Sequence, residues 1–222
     1  MKASRLLYSL QGFRICDLFL SLAEPPAWQA ILKCGQHQKR DHALKMCHAV
    51  SQQMATIGEA YSPSEALLDI AIEHLTFGRA ALYAAVLEES EIRIPQSEIE
   101  AAVAGLRRAG SQNYIPLGLL TRAWLRFLIG VRTGPESAQA DLDEAWEIAE
   151  RGPMRLHMAD IHLYRARLFH AVKPYPWNKN PDGTARGPKD DLAAARKLIE
   201  QCGYGRRKEE LEDAEAAAKN WD

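Results

Sequence analysis

Apolar residues recur along this chain at spacings of three and four, and the sequence contains almost no alternating runs of β-branched residues. From Leu156, apolar positions fall at Ala159, Leu163, Ala166 and Phe169. This spacing is typical of helices that bury one face, whereas a half-buried strand alternates every second residue. The pattern therefore predicts an all-α protein.

Proline, glycine and serine divide the pattern into separate helices. Gly152-Pro153 lies between two of them, Gly203 ends another, and Ser62-Pro63 precedes one as a helix cap and first-turn residue. Pro25-Pro26 ends the first apolar segment. We predict helices at 4–22, 36–59, 64–88, 96–110, 113–130, 135–151, 154–172, 189–202 and 205–219, with a short one at 26–33.

Two patterns of small residues recur in these helices. In the second helix of successive pairs, a small residue is followed four positions later by a large apolar one and three further on by another small one. The first helices of the pairs carry a small residue in mid-helix. Small residues let two helices approach closely, and the large residue fills the groove between them. The triplets are Ala102/Leu106/Ala109, Ala138/Leu142/Ala145 and Ala195/Ile199/Cys202, with a weaker Ala43/Cys47/Val50, and the mid-helix residues are Gly12, Gly78, Ala123 and Ala166.

These patterns resemble the tetratricopeptide repeat (TPR), in which a large residue and Gly or Ala mark helix A and a small-large-small triplet marks helix B. The chain departs from that family by three extra residues between Gly130 and Ala138, and by repeats nearer forty residues than the usual thirty-four. The resemblance implies one domain over 1–222, a right-handed α-solenoid. Its repeats would cover 4–60, 64–110, 113–151 and 154–202, followed by a capping helix at 205–219.

Two C-terminal segments show a closer likeness. The stretches DLDEAWEIAERGPMRLHMADIHLYRARLF and DLAAARKLIEQCGYGRRKEELEDAEAA resemble the C-terminal repeat regions of large bacterial signalling NTPases and related regulators. In those proteins the repeats act as sensor or partner-binding arrays. The chain has no GxxxxGK[ST] phosphate-binding loop, so we do not expect it to be the NTPase itself. The likeness implies a regulatory or sensor fragment that acts in trans on such an NTPase or on a transcription regulator.

Composition narrows the partners that we expect. The formal net charge of −1 favours neither nucleic acid nor an anionic membrane. Four cysteines without a CxxC pair favour a reducing cytoplasm. The run Ile15–Ala23 resembles a secretion signal, but Asp17 interrupts it and Glu24 follows it where a small-residue cleavage site would stand. No apolar run approaches the ~20 residues of a membrane span.

A surface for a protein or peptide partner is the function that the resemblance implies. First helices of such repeats line the concave face, and arginine and tryptophan are frequent at binding hot spots. We therefore predict a non-catalytic scaffold that binds acidic or carboxylate groups of a partner. The predicted binding residues are Arg79, Arg122, Arg126, Arg165 and Trp177.

Three other groups of residues carry weaker hypotheses. Cys34, His37, Asp41, His42, Cys47 and His48 lie close in sequence, but they do not place four zinc ligands on one face. His157 and Asp160 can meet at a spacing of three, yet no nucleophile accompanies them. Arg206, Arg207 and Lys208 can contact an anion, or pair with Glu209, Glu210, Glu212 and Asp213. We therefore expect no metal, no cofactor and no enzyme activity, and we keep a metal-dependent enzyme as an alternative.

The segment 173–192 interrupts the last predicted hairpin. It contains four prolines and two glycines, and we interpret it as an insertion between helices. Asn180-Pro181-Asp182-Gly183 is typical of a turn. Trp177 either packs back onto the repeat or is presented to a partner.

Overall fold

The structure is a computed structural model that describes residues 10–34, 39–58, 67–180 and 183–221. Its regular structure in these ranges is helical, apart from an isolated antiparallel bridge between Lys179 and Ala185. The all-α prediction is thus confirmed. The helices are α1 Leu10–Ile31, α2 Arg40–Gly58, α3 Leu67–Glu88, α4 Arg93–Arg108, α5 Ile115–Leu128, α6 Ala138–Arg151, α7 Arg155–Phe169, α8 Pro188–Cys202 and α9 Lys208–Ala218, with a 3₁₀ turn at Gly205–Arg207.

The first helix corrects one prediction. We expected a break at Pro25-Pro26, with helices at 4–22 and 26–33, but α1 continues through both prolines to Ile31. Each proline removes a backbone donor from the helix. The segment after them is nevertheless fully buried at Ala27 and Trp28, and this packing holds the chain helical across the prolines.

The chain divides into two compact units, Met1–Thr121 and Arg122–Asp222, with α5 beginning in the first and ending in the second. In the first unit α1 packs on α2 and α3, and α3 packs on α2 and α4. In the second, α7 packs between α6 and α8, and α9 packs on α8 and α7. The single repeat domain over 1–222 stays a prediction.

The helix pair α3–α4 shows why a glycine is tolerated in mid-helix. A Cβ atom added at Gly78 would lie 2.7 Å from Ile99 Cγ1, closer than any ordinary contact. Gly105 makes a similar approach to Ala71 from the other helix. The small residues therefore bring these two helices together. Most of the other predicted packing residues are also buried, namely Ala102, Leu106, Ala123, Ala138, Leu142, Ala145, Ala166, Ala195 and Ile199, whereas Ala109 and Cys202 are half-buried.

The helix α7 differs from its sequence pattern. Spacing predicts one buried face, but every residue from Ala159 to Phe169 is buried, while Leu156 near the start is exposed. Helices, a loop and the 3₁₀ turn surround α7, so its polar residues are also removed from water. Buried charges require partners, and each one on α7 has an ion pair or hydrogen bond, as described below.

The insertion after α7 folds back on itself. The Arg186 N–H donates to Asn178 O and the Asn180 N–H donates to Thr184 O. Two residues of the predicted turn, Pro181 and Asp182, lie outside the described residues, as do Ser62, Pro63 and His37. Gly203 has φ +61° and ends α8 in the left-handed conformation, as its position in the sequence predicts.

Among the described helices, α3 alone is long and apolar enough to cross a membrane by length and composition. Two thirds of its most apolar stretch is buried inside the protein (67%), as in the core helix of a folded unit. Its length and composition are therefore only weak evidence for a membrane span.

Candidate functional site

The predicted binding arginine of the first unit is buried among its own chain's carboxylates. Arg79 is 1% exposed. Its Nη1 donates to Asp17 Oδ1 at 2.7 Å, and its Nη2 lies 3.7 Å from Glu24 Oε2. Its Nε donates to the Tyr83 hydroxyl at 3.3 Å. An acidic partner would have to displace Asp17 and Glu24 from a guanidinium that is itself buried.

Arg122 and Arg126 converge on one aspartate at the first turn of α6. Arg122 Nη2 donates to Asp141 Oδ1 at 2.6 Å, and Arg126 Nη1 donates to the same oxygen at 3.2 Å. Asp141 is almost wholly buried, and its position at a helix N-terminus further stabilises its charge. These arginines therefore fix α5 to α6.

Arg165 and Trp177 pack against each other. The Arg165 guanidinium lies between two indole rings, 4.5 Å from Trp177 and 5.0 Å from Trp146. Trp177 Nε1 donates to Asp143 Oδ1 at 2.6 Å, and its ring meets Phe169 edge to face at 5.0 Å. Of the two orientations that the sequence left open, the structure has Trp177 packed back.

Asp191 is the centre of a buried polar cluster beneath the insertion. It has no exposed surface, and it accepts from His162 Nδ1 at 2.5 Å, from Tyr175 OH at 2.5 Å and from Arg186 Nη2 at 2.6 Å. Sequence reasoning missed this cluster, because its members come from α7, the insertion and α8. The available signal was the pair Asp190-Asp191 in the first turn of α8, where negative charge is favoured, but this signal does not report that Asp191 is buried.

The electrostatics of the cluster favour a charged aspartate and a neutral histidine. Burial by itself raises the pKa of Asp191, but the hydrogen bonds from His162 and Tyr175 and the charge of Arg186 outweigh it and lower the pKa overall. Burial lowers the pKa of His162, against the opposing effect of Asp191. Burial and the charge of Asp191 raise the pKa of Tyr175. The arrangement therefore ties the insertion to α7 and α8.

In the described residues, the two other groups that the sequence suggested for catalysis or metal binding are not assembled into a site. Asp160 accepts from Arg207 Nε at 2.7 Å and from Tyr204 OH at 3.2 Å, and no His157–Asp160 bond is found. His48 meets Glu88 at 3.1 Å, and His170 stacks on Trp221. No group of three or more metal-binding side chains occurs in the described parts of the chain.

The basic cluster at the start of α9 pairs internally, but one member is less exposed than we expected. Arg207 is buried and bridges Asp160 to Glu210, whose Oε1 lies 2.5 Å from Arg207 Nη1. Glu210 also accepts from Arg167 Nη1 at 2.7 Å. Lys208 reaches Glu212 at 4.0 Å on the exposed side. The spacings of three and four predict the Arg207–Glu210 and Lys208–Glu212 pairs. They do not predict the buried contacts of this cluster with α7.

On α1, by contrast, several large apolar side chains are exposed to solvent. Ile15, Leu18, Phe19 and Leu22 are exposed at spacings of three and four, with Leu18 at 64%. The other side of the helix is buried at Phe13, Cys16, Leu20 and Ala23 against the rest of its unit. From the sequence, this run is notable only for its likeness to a secretion signal. We call these four side chains the α1 apolar face.

A groove runs between α8 and α9 on the surface of the second unit. One cavity of about 360 Å³ is lined by Leu192, Ala193 and Ala218, and another of about 330 Å³ by Ile199, Tyr204 and Leu211. Arg196 borders both cavities, where it pairs with Glu215 and with Glu200. We call this feature the α8–α9 groove.

Comparisons with known proteins add no relative. No family model, no curated protein and no solved structure matches this chain.

Proposed function

We propose that this chain is a non-catalytic protein-binding scaffold whose helices pair as TPR-like hairpins and whose α1 apolar face binds an amphipathic helix of a partner. The observation that carries the proposal is the exposure of Ile15, Leu18, Phe19 and Leu22 on one helix. Apolar residues at positions i, i+3, i+4 and i+7 are those through which helices bind one another. Elsewhere in the described residues, large exposed apolar side chains do not line up in this way.

The TPR-like pairing is supported by the packing of neighbouring helices. Gly78 lets α3 meet α4 at Ile99, and the predicted small-large-small triplets are largely buried. The proposal departs from the sequence prediction in the place of binding. Arg79, Arg122 and Arg165 would have to leave carboxylates of their own chain to bind an acidic partner, so we base the partner site on α1 instead.

The size of the α1 apolar face indicates weak, reversible binding. The exposed fractions of its four side chains amount to about two whole side chains, and burying each contributes about 1.5–3 kcal/mol. The gross gain is therefore about 3–6 kcal/mol on this side of the contact. Association costs at least about 4 kcal/mol in lost freedom of motion. With a similar gain from the partner's side, at most about 2–8 kcal/mol remains, so we expect a Kd of about 1 µM or weaker.

Affinity capture tests the proposal. The wild-type chain, Leu18→Glu and the control Ile94→Glu are immobilised and exposed to a lysate of the source organism. Ile94 is 63% exposed, on α4, and so matches Leu18 in chemistry and exposure. We expect proteins that wild type and Ile94→Glu capture equally and that Leu18→Glu captures at least about tenfold less, the effect of 1.4 kcal/mol. Equal capture by all three chains would exclude α1 as the binding surface.

A further inference from the structure

We propose that Arg165 and Arg186 form a binding site for a phosphate-type oxyanion where α7 meets the insertion. A phosphate-type oxyanion is a tetrahedral anion whose oxygens accept hydrogen bonds, either free in solution or carried on a phosphorylated molecule. Both arginines lie in the second unit, so the site is independent of the α1 apolar face.

Each of the two guanidinium groups has a buried donor without an acceptor. Neither Arg165 Nε nor Arg186 Nε has a hydrogen-bond partner among the described residues, and both atoms are buried. Most buried N–H groups in folded proteins are paired, and an acceptor supplied from outside the chain is one explanation for an exception. Two such donors in one cluster therefore favour an acceptor that both arginines share.

The carboxylates nearest to the two arginines are already shared with other donors. Asp191 accepts from Arg186 Nη2 at 2.6 Å and from two further side chains, as described above. Asp143 Oδ1 lies 3.3 Å from Arg165 Nη2, but the same oxygen accepts from Trp177 Nε1 at 2.6 Å. The two arginines are therefore only partly compensated by negative charge from their own chain.

The charges of the two arginines also oppose each other. Burial lowers the pKa of Arg165, and the nearby charge of Arg186 lowers it further. Asp191, Asp143 and Tyr175 act in the opposite direction but do not restore the ordinary value. An added anion would stabilise both guanidinium charges at once.

The surroundings of Arg165 favour a ligand that binds in the plane of its guanidinium. Arg165 lies between Trp146 and Trp177, at 5.0 and 4.5 Å from their rings, so its edge is left for a ligand. The N–H donors of a guanidinium lie in this plane and match an oxyanion through parallel hydrogen bonds. A phosphate group has three acceptor oxygens and a charge of about −1.5 to −2 at pH 7, so it can bind two guanidinium groups together.

The site is closest to solvent on the side of the insertion. The Arg186 side chain is 17% exposed, against 8% for Arg165, and the neighbouring Asp143 is 44% exposed. Because both Nε atoms are covered, the anion meets them only when the part of the insertion that carries Arg186 shifts. The anion adds an acceptor and displaces no carboxylate, unlike the acidic partner considered above.

Tryptophan fluorescence of the full folded chain tests the proposal. Sodium phosphate is added at pH 7 while sodium chloride keeps the ionic strength constant. Because Trp146 and Trp177 contact Arg165, we expect a saturable change in emission with a Kd of about 1 mM. Phosphate at ten times its Kd should also raise the folding equilibrium constant about elevenfold in urea unfolding. A chain that shows neither effect would overturn the inference.

Variants test whether the two arginines hold the anion. Arg186→Lys keeps the charge beside Asp191 but removes the planar donor pair, so it should fold and bind phosphate at least about tenfold more weakly. Arg165→Lys should weaken binding in the same way. The control Arg196→Gln removes an arginine whose side chain is 43% exposed on α8, and it should bind as wild type does. Equal binding by Arg186→Lys, or loss of binding in the control, would contradict the site.

Other anions test the ligand class and its source. Acetate has two acceptor oxygens and one charge, so it should bind at least about tenfold more weakly than phosphate, and equal binding would overturn the tetrahedral ligand. Phosphoserine distinguishes the two sources. Binding tighter than that of inorganic phosphate supports a site for a phosphorylated molecule, and weaker binding supports a site for the free anion.

Discussion

Replacing Asp191 with asparagine tests whether the buried cluster beneath the insertion holds the second unit together. The change keeps the shape of the side chain and removes its charge. The carboxylate accepts from His162, Tyr175 and Arg186 at 2.5–2.6 Å, and an amide can accept through only one of its two terminal atoms. At least one donor is therefore left without its acceptor beside a position that has no exposed surface.

The magnitude follows from burial. Removing one partner of a buried ion pair costs about 3–5 kcal/mol. The Arg186 side chain retains 17% exposure and can regain some hydration, so we expect a loss near the lower limit, about 3 kcal/mol. Asp143→Asn is the matched control. Asp143 pairs with Arg165 but its side chain is 44% exposed, so its loss should be below about 1 kcal/mol.

Urea unfolding at pH 7, followed by tryptophan fluorescence, measures both variants. Four of the five tryptophans lie in the second unit, so the signal reports mainly on the region of the mutation. With an m-value of about 2 kcal/mol/M, Asp191→Asn should lower the midpoint by about 1.5 M. A midpoint equal to that of Asp143→Asn would refute the reasoning, because burial would then have no effect on the strength of the pair.

Acidity should reduce the same stability in two stages. The pKa of His162 is lowered by burial, so below its ordinary value of 6.5 the unfolded chain binds a proton that the folded chain does not, and stability falls. The pKa of Asp191 is lowered as well. Its contribution is therefore complete above the ordinary value of 3.8 and is lost as the pH falls through the folded value. The gap between wild type and Asp191→Asn should consequently close at strongly acidic pH, and a constant gap would contradict the assignment.

Three further predictions concern packing and reactivity. Trp177→Ala should lower the free energy of unfolding by about 1–3 kcal/mol, less than for a fully buried tryptophan, and unchanged stability in urea would contradict the packed-back position. Gly78→Ala should lower the free energy of unfolding by about 1–3 kcal/mol, although alanine favours helices, because its Cβ would clash with Ile99. Thermal unfolding measures the effect. A stabilised variant would show that α4 moves to make room for the added methyl group. Burial and the charge of Glu88 raise the pKa of Cys47 to about 12. Iodoacetamide at pH 8 should therefore label the half-buried Cys34 and Cys202 well before Cys47, and peptide mass mapping measures the order of labelling.

Much of the helical arrangement is predictable from local signals. The end of α8 at Gly203 and the break at Gly152-Pro153 need only backbone preferences, and the starts of α5 and α8 lie within two residues of prediction. The close approach at Gly78 was also predictable, because a glycine in mid-helix is costly without a packing reason. By contrast, the continuation of α1 through Pro25-Pro26 depends on the burial of Trp28, which no local signal reports.

The candidate sites were less predictable, because the partner of a charge depends on residues far away in sequence. Arg79 pairs with a residue 62 positions earlier, and Arg167 with one 43 positions later. The sequence showed arginines in first helices and suggested a binding face. It could not show that these arginines already bind carboxylates of their own chain.

The sequence by itself determined that this protein is helical, where most helices end, and which small residues lie at helix contacts. These properties follow from backbone preferences and side-chain size, which act over a few residues. Only the tertiary structure decided which polar groups are buried and which apolar groups are exposed. Burial results from the packing of several helices at once, so Asp191 lies at the centre of a cluster while Leu18 lies in solvent.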